Sequence, residues 1–266
     1  MKYRLFTALA LTVGVLWILL GAPGWVFHLL LFTVLGLAML EWALLSGIHD
    51  RLARLSLLAS VLGISYVLLY VYPLPSWLWG GLALAWWGFV SFRVLRFHQE
   101  APSTGRLPGT LLAALPTLLP FTALSLTLFN QGPGWVIWAL LLVSAADVGA
   151  YFVGRALGKG KLAPQISPGK TWAGFWGGLL ASGLVGTLGA LVFFQPVWGS
   201  AVTGFLLGFI TGFFGVIGDL HESMLKRRVG VKDSGDLLPG HGGILDRIDS
   251  LSAAVPIFVL GLMVMQ

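Results

Sequence analysis

Long apolar runs decide what this chain can fold into. A run of about 17 to 25 apolar residues is the length of a helix that crosses a bilayer, and the hydrocarbon interior leaves a backbone no hydrogen-bond partner but itself. Nine such runs are read over residues 5–20, 24–45, 55–72, 76–92, 107–129, 134–152, 171–194, 200–220 and 248–265, the first being short. Composition agrees, because hydrophobic residues make up 57%, charged residues 10%, and mean hydropathy is +0.90, outside the range of soluble domains. The expected fold is therefore all-α, a polytopic integral membrane protein of about nine transmembrane helices. The first run follows Lys2 and Arg4 and is expected to stay as an anchor, since no small-residue cleavage site precedes the next run.

The cations set an orientation. They fall in five clusters: Lys2 and Arg4; Arg51 and Arg54; Arg93, Arg96 and Arg106; Arg155, Lys159, Lys161 and Lys170; and Lys226, Arg227, Arg228, Lys232 and Arg247. With nine crossings, all five lie on one side, whereas the opposite connections, 21–23, 73–75, 130–133 and 195–199, carry no charge. Basic loops face the cytoplasm, so the N-terminus is expected inside and the C-terminus outside. The net charge of +6 is then a juxtamembrane property suited to anionic membrane lipids and gives no reason to expect a nucleic-acid partner. The chain has no cysteine, which excludes disulfides, thiol catalysis and thiolate metal sites and leaves oxygen and imidazole as the possible ligands.

No repeat or polar linker divides the chain, so one structural unit is expected. Within it, residues 1–140 serve as a helical scaffold with lipid access and dimer contacts, and residues 141–266 carry the chemistry in two long cytoplasmic loops, 154–170 and 221–247. Trp25, Trp77, Trp79, Trp135 and Trp198 sit near predicted helix ends, as an interfacial aromatic belt requires. Gly174, Gly177 and Gly178 in one helix, and Gly204, Gly208, Gly212 and Gly215 in the next, read as close helix packing.

Acids at helix ends are the unusual feature. Asp147 falls late in the sixth helix, Asp219 at the end of the eighth, and Asp246 and Asp249 at the start of the ninth, all at one predicted level. Asp246 and Asp249, three apart, share a helix face and also suit the positive end of the helix dipole. With Asp219 approaching from the eighth helix they repel unless a cation intervenes. That cation is either Arg247, as an internal salt bridge, or a divalent ion such as Mg²⁺, which hard oxygen clusters favour. Facing these acids are Lys226, Arg227, Arg228 and Lys232, with Lys159, Lys161 and Lys170 in the other loop. They alternate with glycine-rich stretches, 167–171 and 239–243, whose backbone amides can turn toward an anion. Divalent ion, ammonium groups and amides at a membrane surface describe a phosphate site, where catalysis is mainly positioning and charge neutralisation. Ser223 and Ser234 lack a His-acid partner that would mark either as a nucleophile, so the attacking group belongs to a substrate.

The pattern Ser223-x-Leu225-Lys226-Arg227, then Lys232-Asp233-x-Gly235, then Leu238-Pro239-x-His241-Gly242-Gly243-Ile244-x-Asp246-Arg247-Ile248-Asp249 resembles the signature of the phosphatidate cytidylyltransferase family, without departure from position 223 to 249. Further matches are Ala146-Asp147 with Ala150-Tyr151, the run from Lys161 to Pro164, Ser167-Pro168-Gly169-Lys170-Thr171-Trp172, and Gly218-Asp219-Leu220. The chain is most similar to the bacterial CDP-diglyceride synthases. The resemblance implies that CTP and phosphatidic acid give CDP-diacylglycerol and pyrophosphate, with Mg²⁺ and room for a second cation, at the cytoplasmic face of the inner membrane. It maps Asp219 and Asp246 onto metal-binding acids, with Asp249 as a further ligand or an orienting group. It assigns Lys226 and Arg227 to phosphate, and Asp147, Lys161, Ser167, Lys170, Ser223, Lys232, Asp233, His241 and Arg247 to the substrate site. It also implies a homodimer, for which the glycine-lined helices offer an interface. Two alternatives remain at this level: a transporter or channel for a phosphorylated solute, whose acids would be expected near the midplane, and a related CTP-using lipid-phosphate enzyme.

Overall fold

The structure is a computed structural model that describes residues 2–97, 111–194, 198–237 and 242–265. Among the described residues the chain forms nine helices: α1 (Lys2–Leu20), α2 (Gly24–Leu45), α3 (Arg51–Tyr66), α4 (Ser76–Leu95), α5 (Ala114–Gln131), α6 (Pro133–Leu157), α7 (Trp172–Phe193), α8 (Trp198–Val229) and α9 (Leu245–Met265). Seven spans are long and apolar enough to cross a membrane: α2, α3 together with the π-helical turn Val67–Val71 that continues it, α4, α6, α7, α8 and α9, and α1 is apolar over Leu9–Leu20. The molecule is an all-α polytopic membrane protein. Residues 106–110, with Arg106 and the start of the fifth predicted run, lie outside the described residues.

α5 is the polar interior helix. Thr117, Thr122 and Ser125 are buried, and the Thr117 and Thr122 hydroxyls donate to the carbonyls of Ala113 (2.8 Å) and Leu118 (2.9 Å), one turn back. Such return bonds satisfy a hydroxyl without a second helix. α9 runs through the same core with Phe258, Val259 and Leu262 buried, and Trp138 of α6 meets Phe258 edge-on at 5.1 Å between ring centroids.

α6, α7 and α8 pack backbone against backbone. A Cβ on Gly178 would strike the Ala146 carbonyl of α6, and one on Gly208 would strike the Ser182 carbonyl and Gly186 of α7. Ser182 Oγ donates to the Gly208 carbonyl at 2.7 Å across that seam. The glycines therefore pack helices, as predicted, but those offered to a dimer are spent within the chain. On its other side α8 meets α9 at Gly218, where an added Cβ would overlap the Asp249 carbonyl. That approach sets Asp219 next to the first turn of α9.

Two boundaries differ from the sequence reading. α8 does not end near residue 220 but continues to Val229, 32 residues in all, about 48 Å at 1.5 Å per residue and longer than the roughly 30 Å hydrocarbon core. Its last turns, read as loop, stay helical because Asp219–Ser223 and Glu222–Lys226 are i,i+4 pairs. Lys226, Arg227 and Arg228 sit in the last turn, where cations suit the dipole. Gly230, at φ +75°, then ends the helix. The second difference is a hairpin inside the all-α frame: β1 (Lys161–Ala163) pairs antiparallel with β2 (Ser167–Thr171), Lys161 opposite Thr171 and Ala163 opposite Ser167. Thr171 caps α7 by accepting from the Gly174 amide at 3.1 Å. Of the predicted belt, Trp25, Trp77 and Trp198 are exposed, whereas Trp79 is buried and Trp135 stacks on Phe193 at 4.4 Å.

Candidate active site

A cavity of about 460 Å³ lies where α6, the hairpin, the start of α7 and the middle of α8 meet. α6 contributes Asp147, Tyr151 and Arg155, spaced four apart and so on one face, and Arg155 Nη1 donates to Tyr151 Oη at 3.0 Å. The hairpin contributes Lys161 and Lys170, and α8 contributes Asp219. Lys170 Nζ sits 2.7 Å from Asp219 Oδ2, while Ser223 Oγ donates to Asp219 Oδ1 at 3.3 Å. Asp147 and Asp249 both lie within electrostatic reach of Asp219 and Lys170. Carboxylates from three helices thus converge on the Lys170 ammonium.

A second polar network is built on Lys226, buried although charged. Its Nζ lies 2.6 Å from Glu222 Oε2 and 2.5 Å from Asp246 Oδ1. Glu222 Oε1 is buried without a hydrogen-bond partner. Asp246 Oδ2 accepts from the Ser234 amide (2.9 Å), Ser234 Oγ (3.0 Å) and the Gly243 amide (2.8 Å). Gly242 turns at φ +77° to bring that last amide round, a conformation that favours glycine. Ser234 Oγ is also 2.8 Å from Glu41 Oε2, and Glu41 accepts from the amides of Ile244 (2.8 Å) and Leu245 (2.9 Å).

The predicted residues divide accordingly. Asp147, Lys161, Lys170 and Asp219 line the cavity, with Ser223 and Asp249 attached through Asp219. Lys226 and Asp246 belong to the adjoining network. Arg227 donates through Nε to the Ile166 carbonyl at 3.1 Å and so ties α8 to the hairpin turn, while Ser167 stands in β2 opposite Ala163. Lys232, Asp233 and Arg247 are exposed, and the cation set against Asp246 is Lys226 rather than Arg247. His241 lies outside the described residues. Among the described residues, no group of three or more His, Asp or Glu side chains is disposed around one ion, and Asp246 is occupied by Lys226 and loop donors. The sequence reading assigned no site role to Glu41, Glu222, Tyr151 or Arg155. Glu41 carried a signal of its own, as the one charge in an otherwise apolar run; ionisable residues inside spanning segments are expensive and tend to be functional.

The cytidylyltransferase family profile matches residues 2–265. The chain belongs to the cytidylyltransferase family. Among the relatives of this family member, the phosphatidate cytidylyltransferase of Pseudomonas aeruginosa is 41% identical, covering 97% of this chain and 95% of the relative. That of Haemophilus influenzae is 38% identical with 97% of each covered. The Bacillus subtilis phosphatidate cytidylyltransferase is 45% identical over 48% of this chain and 46% of its own length. The enzyme is thus a CTP-dependent nucleotidyltransferase of the phosphatidate cytidylyltransferase type, with the cavity and its neighbouring network as the candidate site.

Proposed function

We propose that this enzyme transfers the cytidylyl group of CTP to phosphatidate, giving CDP-diacylglycerol and pyrophosphate, at the cytoplasmic face of a bacterial inner membrane. The observation that carries the reading is the join between two spaces. The charged cavity shares Leu162, Phe175 and Val216 with an apolar groove of about 490 Å³, walled by Val94, Leu95, Trp172, Phe213, Ile217 and Leu220. Phe213 lies six residues before Asp219 on α8, about 9 Å along the helix axis. A lipid phosphate at Asp219's level would therefore keep its acyl chain along α8 in the groove, while a nucleotide enters the charged side from water.

Lys161, Lys170 and Arg155 supply positive charge for the phosphates, and Asp147, Asp219 and Asp249 supply hard oxygens. That donor set fits Mg²⁺ at Asp219 and Asp249, whereas Asp246, the other expected ligand, would have to release Lys226 to join. When bound, Mg²⁺ would offset charge on the triphosphate. A phosphatidate oxygen attacks the α-phosphorus in line; the new P–O bond forms as the bond to the β-phosphate oxygen breaks, and pyrophosphate leaves with the electron pair. Lys170, which lines the cavity beside Asp219, would meet the growing negative charge. A phosphate monoester near neutral pH is already ionised, so no general base is assigned.

The test is purified enzyme in mixed micelles with phosphatidate and CTP labelled at either the α- or γ-phosphorus. The α-label should appear in extractable lipid and the γ-label in pyrophosphate, with transfer stopped by chelation and restored by Mg²⁺. Transfer of the γ-label to lipid, or CTP cleavage that ignores phosphatidate, contradicts the proposal.

A further inference from the structure

The glycines around Ser234 and Gly243 have a partner in the other half of the chain. Glu41, near the end of α2, is 7% exposed, and its carboxylate receives Ser234 Oγ, the Ile244 amide and the Leu245 amide at 2.8–2.9 Å. Leu245 is the first residue of α9, so α2 supplies from outside the acceptor that a helix N-terminus ordinarily takes from its own capping residue. The glycines make room for it: a Cβ on Gly243 would overlap Glu41 Oε2 and Ser234 Oγ, and one on Gly235 would come within 3.0 Å of Glu41 Oε1. Ser234 then passes the contact on. Its hydroxyl lies between Glu41 Oε2 at 2.8 Å and Asp246 Oδ2 at 3.0 Å, and with one proton it can donate to only one of them at a time. Its amide and that of Gly243 also donate to Asp246 Oδ2. Asp246 in turn orients Lys226.

We infer that Glu41 is a positioning residue for the transfer reaction, holding Asp246 and Lys226 through Ser234 and the first amides of α9 without itself touching substrate. The inference rests on the reading above for its reaction. It gives the N-terminal half a part in catalysis that its scaffold role does not include. Glutamine cannot reproduce the contact, because one of the two Glu41 oxygens becomes an NH₂ that faces an N–H or O–H donor.

The experiment compares wild type, Glu41→Gln, Ser234→Ala and the double variant, with turnover expressed per folded enzyme after size exclusion and circular dichroism. Positioning predicts that kcat falls about tenfold or more in each single variant while KM for CTP changes by less than about threefold. It also predicts that the double variant is hardly worse than Glu41→Gln, because the two residues act along one route. A residue that only holds the fold together would lower the yield of folded protein and leave kcat per folded enzyme unchanged. If Glu41→Gln does not fold, Ser234→Ala decides. Turnover within twofold of wild type in the variants that fold, or fully multiplicative losses in the double variant, overturns the inference. A wild-type preparation that makes no CDP-diacylglycerol fails the functional reading instead, so the two failures are separable.

Discussion

At the scale of single residues, Asp246 has the most to lose. One oxygen accepts three hydrogen bonds from Ser234 and Gly243, and the other holds the Lys226 ammonium. Asp246→Asn puts an NH₂ against donors and removes Lys226's nearest counter-charge, leaving Glu222. Turnover to CDP-diacylglycerol is expected to drop at least about a hundredfold, in line with other losses of electrostatic stabilisation; near-normal turnover would reduce the network to a structural device. Asp219, Asp246, Lys170 and Lys226 were legible in the sequence because a charge bordering an apolar run needs a reason. The pairing was not: Arg247 is the sequence neighbour of Asp246, yet the cation that reaches it is Lys226, 20 residues away. Glu41 bonds partners about 200 residues distant, a relation that no local spacing encodes.

At the scale of elements, the hydrophobic run and the helix are different objects. The apolar run in α8 breaks at Asp219, but the backbone continues to Val229 on its own i→i−4 bonds and carries Glu222, Ser223, Lys226 and Arg227 on the same helix. Residues 161–171 were read as a basic, glycine-containing loop and not as a hairpin, since strands of three and five residues are too short to show a period. The α7–α8 seam is the element contact with least tolerance. Gly208→Val would drive side-chain atoms into the Ser182 carbonyl and Gly186, with an expected loss of about 1–3 kcal/mol. A lower unfolding midpoint in detergent would register it, and an unchanged midpoint would mean that the helices pack less tightly than the structure places them.

At the scale of the whole molecule, the apolar spans were legible to within a few residues at most of their ends, because bilayer thickness fixes their length. Which side they face is an expectation from charge alone, and it is testable because the chain has no cysteine of its own. Gly169 on the hairpin and Gly199 beyond the far end of α7 both have open space for a side chain. Gly169→Cys should react with an impermeant maleimide only once the cytoplasmic side is exposed, and Gly199→Cys in intact spheroplasts; the reverse pattern would invert the proposed orientation. The account as a whole turns on Asp219, where α8 meets the hairpin lysine, the α9 carboxylate and the mouth of the apolar groove. The most direct measurement is phosphatidate-dependent transfer of α-labelled cytidylyl groups by folded Asp219→Asn enzyme. A fall of at least about a hundredfold is predicted, and turnover equal to wild type would contradict the site.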